Sequence, residues 1–105
     1  MPEPVPGRFD PLLLSEVRLG VIAVLMERGE ASFQDLKALL GSTQGNLGAH
    51  LGKLEEGGYV AVTKRFVGKR PRTDCAITPA GREAFLAHVA QLRGIAGGGD
   101  GPDGG

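Results

Sequence analysis

A chain of 105 residues predicts one compact domain with a modest core and no room for a separate effector or catalytic domain. Hydrophobic residues make up 41%, but aromatics only 5% and Trp is absent, so the core has to come from Leu, Val, Ile and Ala. Twelve basic residues balance twelve acidic ones, which argues against a general polyanion binder. No apolar run reaches the roughly 18 residues that span a bilayer, and MPEPVPGRFD lacks the basic and apolar blocks of a secretory signal. A cytoplasmic protein without membrane contact is expected. The lone Cys75 excludes an internal disulfide and a Cys-based zinc site.

Residues 1–8 hold three Pro and a Gly and read as a flexible arm. Phe9 to Leu14 reads as an ordered lead-in, with Pro11 near the start of a short turn. Ser15 is placed to cap a first helix running to about Arg28, with Glu16 at its positive end and Gly29 as its stop. Val17, Val21, Ala23, Val24 and Leu25 are expected to form its apolar face, and Gly20 to mark close helix packing. Ser32 with Asp35 three residues on resembles a capping box for a short second helix. Phe33, Leu36, Leu39 and Leu40 are spaced to face one core, and Gly41 ends that helix. Ser42 or Thr43 caps a third helix reaching Glu56, with the stripe Leu47, Leu51 and Leu54. Beyond Gly57-Gly58 the period changes to two. Val60 and Val62, then Thr73, Cys75 and Ile77, alternate as in a β-hairpin, with Gly68 to Pro71 as its turn. Thr78-Pro79 opens a last helix to about Arg93, with Phe85, Leu86, Val89 and Leu92 as its apolar set. Residues 95–105, mostly Gly, Asp and Pro, read as a disordered tail. The domain is therefore assigned to 9–94, and the fold class is mainly α with a β-hairpin: three helices, a hairpin wing and a C-terminal helix.

Two short helices joined by a tight Gly-containing turn make a helix-turn-helix, whose second helix can lie in the major groove. Opposite the Leu47, Leu51 and Leu54 stripe lie Gly45, Ala49, Gly52 and Glu56. Asn46, Lys53 and, more laterally, His50 flank it. Ser42, Thr43, Gln44 and Asn46 cluster at its N-terminal end. Small residues allow close approach to base edges, Gln and Asn can pair bidentately with adenine, and Thr can touch a thymine methyl. Each interior Gly costs a helix roughly 1 kcal/mol relative to Ala. Gly45, Gly48 and Gly52 together are thus hard to explain by folding alone, although tertiary contacts could simply tolerate them. Between Thr63 and Thr73 lie Lys64, Arg65, Lys69, Arg70 and Arg72, with no acid. A hairpin with Lys69, Arg70 and Arg72 around Pro71 at its tip can reach a phosphate backbone or a minor groove. These charges are expected to go to DNA rather than to internal ion pairs.

The stretch TQGNLGAHLGKLEEGGYVAVTKRFVGKRPRTDCAITPAGREAF resembles winged helix regulators related to the MarR and ArsR families. It is most similar to small stand-alone forms whose core reads T-x-G-N-L-x-x-H-L-x-K-L-E-x-x-G-Y-V, then a wing, then L-T-P-x-G. The likeness covers about Phe9 to Leu92. It implies a homodimer built from terminal segments that binds pseudo-palindromic DNA. It also implies contacts from the third helix and wing, mapping to Thr43, Gln44, Gly45, Asn46, His50, Lys53, Lys69, Arg70 and Arg72. Gly48 departs from the pattern, where Ser is expected. Ala76 beside Cys75 is smaller than usual and implies a less rigid wing.

The leading reading is a homodimeric, sequence-specific regulator of transcription that binds double-stranded DNA. Its site is Ser42, Thr43, Gln44, Gly45, Asn46, Ala49, His50, Lys53, Lys69, Arg70 and Arg72. The dimer is expected to form through the N- and C-terminal helices, and the sequence names no effector. The alternative is a winged helix used to bind another protein, to which the exposed apolar pair Phe66 and Val67 would contribute. His50 and His88 are joined by no Cys or carboxylate cluster at ligand spacing, and Cys75 is expected to be packing. No metal, no cofactor and no enzymatic activity are expected.

Overall fold

The computed structural model describes residues 9–97, with the side chains of 95–97 left aside, so the arm at 1–8 and the tail from 98 lie outside the described residues. A short 3-10 turn, Pro11–Leu13, leads into α1 (Glu16–Arg28), β1 (Glu30–Ser32), α2 (Phe33–Leu40), α3 (Gln44–Glu56), β2 (Val60–Val67), β3 (Arg70–Ile77) and α4 (Pro79–Gly97). The three helix starts that Ser15, Ser32 and Thr43 were expected to make are all present. Each side-chain oxygen accepts from the backbone N–H three residues on, at Arg18, Asp35 and Asn46. Thr78 does the same for α4, its Oγ1 accepting from Gly81 N at 2.9 Å. That helix runs to Gly97, three residues into the stretch assigned to the tail.

β1 escaped the sequence reading because three residues are too few to show a period. It adds an edge to the hairpin, giving an antiparallel sheet in the order β1-β3-β2. Cys75 on the central strand lies opposite Ala31 on one side and Val62 on the other. It is buried, as expected, and joins Leu13, Val21, Ile22, Leu25, Leu36, Leu47, Leu51, Leu54 and Val60 in one core. The α3 stripe is buried in full.

Four apolar assignments shift. Ala23 is exposed, because α1 turns Val21, Ile22 and Leu25 inward and position 23 falls nearly opposite them. Leu39 is exposed, because α2 aims Phe33, Leu36 and Leu40 at the core, which leaves position 39 about 90° off their centre. Leu40 fills the space over Gly20, where an added Cβ would stand 2.8 Å from Leu40 Cδ2, so the close approach expected at Gly20 is real. On α4, Leu86 and Leu92 are exposed, and the inward position is taken by His88, whose ring lies 5.2 Å from that of Phe9.

The hairpin turn is tighter than expected. Val67 pairs with Arg70, so the loop is only Gly68 and Lys69. Gly68 has φ 65° and, among the described residues, no non-glycine residue has positive φ, as a type II′ turn requires. Pro71 is therefore not in the turn. It sits within β3 opposite Phe66, in the pair next to the closing one, where strands exchange no hydrogen bonds and a missing N–H costs nothing.

Candidate nucleic-acid interface

The core stripe of α3 divides the rest of that helix into three zones. One flank carries Gln44, Gly45, Gly48, Gly52 and Glu55. These line a groove of about 920 Å³, whose far wall is the wing with Lys64, Val67, Arg70, Pro71, Arg72 and Thr73. Ala49, exposed, lies on the outermost edge. The other flank carries Asn46, His50 and Lys53, of which His50 lies against Arg18 of α1. The expected site residues are thus split: Gln44, Gly45, Arg70 and Arg72 share the groove, while Asn46 and His50 do not border it. A Cβ added at Gly45, Gly48 or Gly52 would meet nothing within 4 Å. Internal packing therefore gives no reason for three glycines on an exposed helix, at roughly 1 kcal/mol each.

At the N-terminal end the polar cluster is tied together. Asn46 Nδ2 donates to Ser42 Oγ at 3.2 Å, and Ser42 Oγ donates to the Thr43 carbonyl at 3.3 Å. Asn46 N donates to Thr43 Oγ1 at 3.1 Å. Gln44 and Lys53 are exposed. His50 is half-buried and lies 3.0 Å from Arg18 Nη1 through its Nδ1.

The wing departs from expectation in its charge pairing. Asp74, one residue beyond the acid-free window, accepts from Arg65 Nε and from Arg72 Nε, each at 2.9 Å. Both guanidinium groups, Arg72 first, hold its carboxyl below the usual carboxylate range. The register explains the cluster. Arg65 lies opposite Arg72, Asp74 lies opposite Thr63, and all four point to the same face of the hairpin. So Arg72 was wrongly expected to stay out of internal ion pairs, and Arg65 shares the same carboxylate. Lys64, Lys69 and Arg70 form no salt bridge among the described residues. The sequence reading left Lys64 out of the site although it lines the groove, and it missed Arg18. Alternation along β2 from Val60 and Val62 would have found Lys64; only tertiary packing brings Arg18 to α3.

Behind this surface the hairpin base is locked to α3. Tyr59 N donates to Leu54 O at 2.9 Å, Thr78 N to Tyr59 O at 3.2 Å, and Thr78 Oγ1 to Gly58 O at 2.6 Å. The Tyr59 hydroxyl donates to Asp10, and this bond, helped by burial and the Asp10 charge, pushes its pKa up to about 12. Burial pushes the Cys75 thiol up to about 11, with the Asp74 and Glu55 charges adding to it. A thiol so placed is a packing group, not a nucleophile.

A helix-turn-helix whose second helix is exposed along one edge, with a hairpin wing beside it, defines a winged helix. The family profile of the winged helix DNA-binding domain matches residues 17–96, and the chain belongs to that family. An uncharacterised protein of Methanocaldococcus jannaschii is 38% identical over 78 residues, which cover 74% of this chain and 85% of that one. The structure of a transcriptional regulator homologue from Pyrococcus horikoshii superposes with a TM-score of 0.78 at 35% identity, over 85% of this chain and 88% of that one. A MarR-family regulator from Silicibacter pomeroyi shares the fold, with a TM-score of 0.66 at 22% identity over 82% of this chain and 57% of that one. Among the described residues no helix is long and apolar enough to cross a membrane.

Proposed function

We propose that this winged helix domain is a transcription regulator that binds double-stranded DNA sequence-specifically as a homodimer. In this reading α3 enters the major groove by its N-terminal half, and the wing lies on the backbone or in the adjacent minor groove. The observation that carries it is the glycine-floored groove between α3 and a wing holding three cations that form no salt bridge among the described residues. Open space at Gly45, Gly48 and Gly52 supports close approach of a partner outside this chain. The acids on α3, Glu55 and Glu56, sit at its C-terminal end, so the negative charge is away from the end that would meet phosphates. Ser42, Thr43, Gln44, Gly45, Asn46, Ala49, His50 and Lys53 would meet bases and backbone. Lys69 and Arg70 are ready for phosphates, and Arg72 is available once released from Asp74. The likeness to the transcriptional regulator homologue from Pyrococcus horikoshii supports the regulatory role.

The dimer rests on α4. Gly81, Phe85, His88 and Leu92 fall on one stripe at i, i+4, i+7 and i+11. The stripe is covered as far as His88, and then Leu92 is 47% exposed beside Leu14, itself 63% exposed. The two line one concavity of about 370 Å³ with Phe9, Leu13 and Leu19. A stripe that outruns its cover among the described residues is suited to a second copy.

One observation favours the protein-binding alternative: Phe66, 73% exposed, and Val67, 54% exposed, at the wing tip. Selection of duplexes from a random library, followed by anisotropy titration of the selected and a scrambled duplex, separates the readings. Regulator function predicts an enriched motif with two half-sites about one helical turn apart and clear preference over the scrambled duplex. Failure to enrich any motif would sink the sequence-specific reading.

A further inference from the structure

The histidine of α3 is held in a way that fixes its chemistry. The guanidinium of Arg18, on α1, is positioned by two carbonyls of the lead-in turn: Nε donates to Leu12 O at 2.8 Å and Nη2 to Pro11 O at 3.5 Å. Its Nη1 lies 3.0 Å from His50 Nδ1. A guanidinium has only donors, so Nδ1 has to be the acceptor and the ring proton of the neutral imidazole resides on Nε2. Among the described residues Nε2 has no hydrogen-bond partner. Nor is it among the buried unpaired atoms, where the one found is His88 Nδ1. His50 therefore presents a directed N–H from the flank of α3 that does not border the groove, about one turn on from Asn46.

We infer that Arg18 is a positioning residue for DNA recognition, holding His50 as the Nε2–H tautomer so that it donates to an acceptor on the duplex. The inference rests on the DNA-binding reading and adds a residue from outside the helix-turn-helix to it. The acceptor is a phosphate oxygen or the N7/O6 edge of guanine, both of which accept and neither of which donates. The wrong tautomer would present a lone pair to either and lose the bond. Because Arg18 is itself anchored on Pro11 and Leu12, the lead-in turn sets the geometry of a contact on α3.

The test uses the full chain. Long-range ¹H–¹⁵N imidazole spectra of the free protein are expected to show His50 with the proton on Nε2, and a mixture of tautomers in Arg18→Met. Binding is then measured by anisotropy with a duplex recovered by selection and with a scrambled duplex. In His50→Gln the amide reaches the position of Nε2 and keeps a donor there, so affinity stays within about threefold of wild type. In His50→Asn the amide stands where Nδ1 stood, and affinity falls about tenfold. Arg18→Met falls by a similar factor, and the Arg18→Met/His50→Asn double variant falls no further than His50→Asn alone. Loss confined to the selected duplex assigns the acceptor to a base, and equal loss on both assigns it to phosphate. If Arg18→Met does not fold, the wild-type tautomer and the Gln/Asn pair still decide. A proton on Nδ1 in wild type, wild-type affinity in His50→Asn, or additive losses in the double variant would overturn the inference while leaving DNA binding intact. Wild-type protein that binds neither duplex brings down both.

Discussion

A Cβ added at Gly48 meets nothing within 4 Å, whereas one at Gly81 would overlap the Tyr59 carbonyl oxygen and lie 3.0 Å from its carbon. Backbone cannot yield as a side-chain tip can, so the two glycines respond oppositely to the same change. Gly48→Ala is expected to stabilise the fold by about 0.5–1 kcal/mol, from helix propensity alone, and to weaken DNA binding. Gly81→Ala is expected to destabilise it by about 1–3 kcal/mol. Thermal melts with a binding titration check both, and a destabilised Gly48→Ala would mean that the α3 glycines serve the fold after all. The Gly runs in the sequence contain no hint of this contrast, since it depends on what lies across the space in front of each Cα. Tyr59 and Cys75 make a second prediction. Each holds its proton more tightly folded, at about 12 and about 11, than the ordinary values of 10.0 and 9.0. Folding stability from these groups is therefore whole below about pH 9 and is lost progressively as the pH rises to about 12. Melts at pH 8 and pH 11 should show a larger alkaline loss in wild type than in Tyr59→Phe/Cys75→Ala. An equal loss in the two would show that other groups carry it.

At the scale of the elements, the wing is a hairpin with a two-residue turn, an ion-paired middle and a cationic end. Asp74 accepts from both Arg65 and Arg72, so two of the wing's five positive charges are engaged before DNA arrives. Ion pairs whose arginines stand about half exposed contribute little to stability, and Asp74→Asn should leave the melting temperature nearly unchanged. It should nevertheless raise affinity for random duplex and steepen the log K against log salt slope, by up to about 0.9 for each guanidinium that gains a phosphate. Lys69→Gln/Arg70→Gln should flatten the same slope and weaken binding to every duplex. A slope unmoved by all these changes would place the wing off the DNA and give weight to a protein partner for Phe66 and Val67. The strand alternation that defines the hairpin was legible from Val60, Val62, Cys75 and Ile77. The pairing partner of Arg72 was not, because it depends on register, and a two-residue turn instead of a longer one moves every cross-strand neighbour.

For the whole molecule, the unpaired end of the α4 stripe has a consequence that stoichiometry can test. Leu14 and Leu92 border the same concavity, so a second copy seated there would bury both. Sedimentation velocity at micromolar concentration is expected to give a dimer. Leu14→Asp/Leu92→Lys is expected to give a folded monomer that binds an operator with two half-sites far more weakly, since each half-site is then bound without the other. A wild-type monomer, with and without DNA, would remove the dimer from the proposed function.

The sequence by itself determined where the helices begin and end. Caps at Ser15, Ser32 and Thr43, glycines at 29, 41 and 57 and the change of period at Val60 are local signals, acting through hydrogen bonds and backbone angles a few residues apart. The winged helix followed from them and from the buried stripe of α3. Tertiary structure alone decided which apolar residues remain outside, as with Leu39 and Leu92, because burial depends on the angle at which a helix meets its neighbours. It also paired β1 with β3, put Asp74 against two arginines, and brought Arg18 within 3.0 Å of His50 across 32 residues of chain. Those contacts join residues that share no local signal, and they exist only because the core beneath them holds the elements in one arrangement.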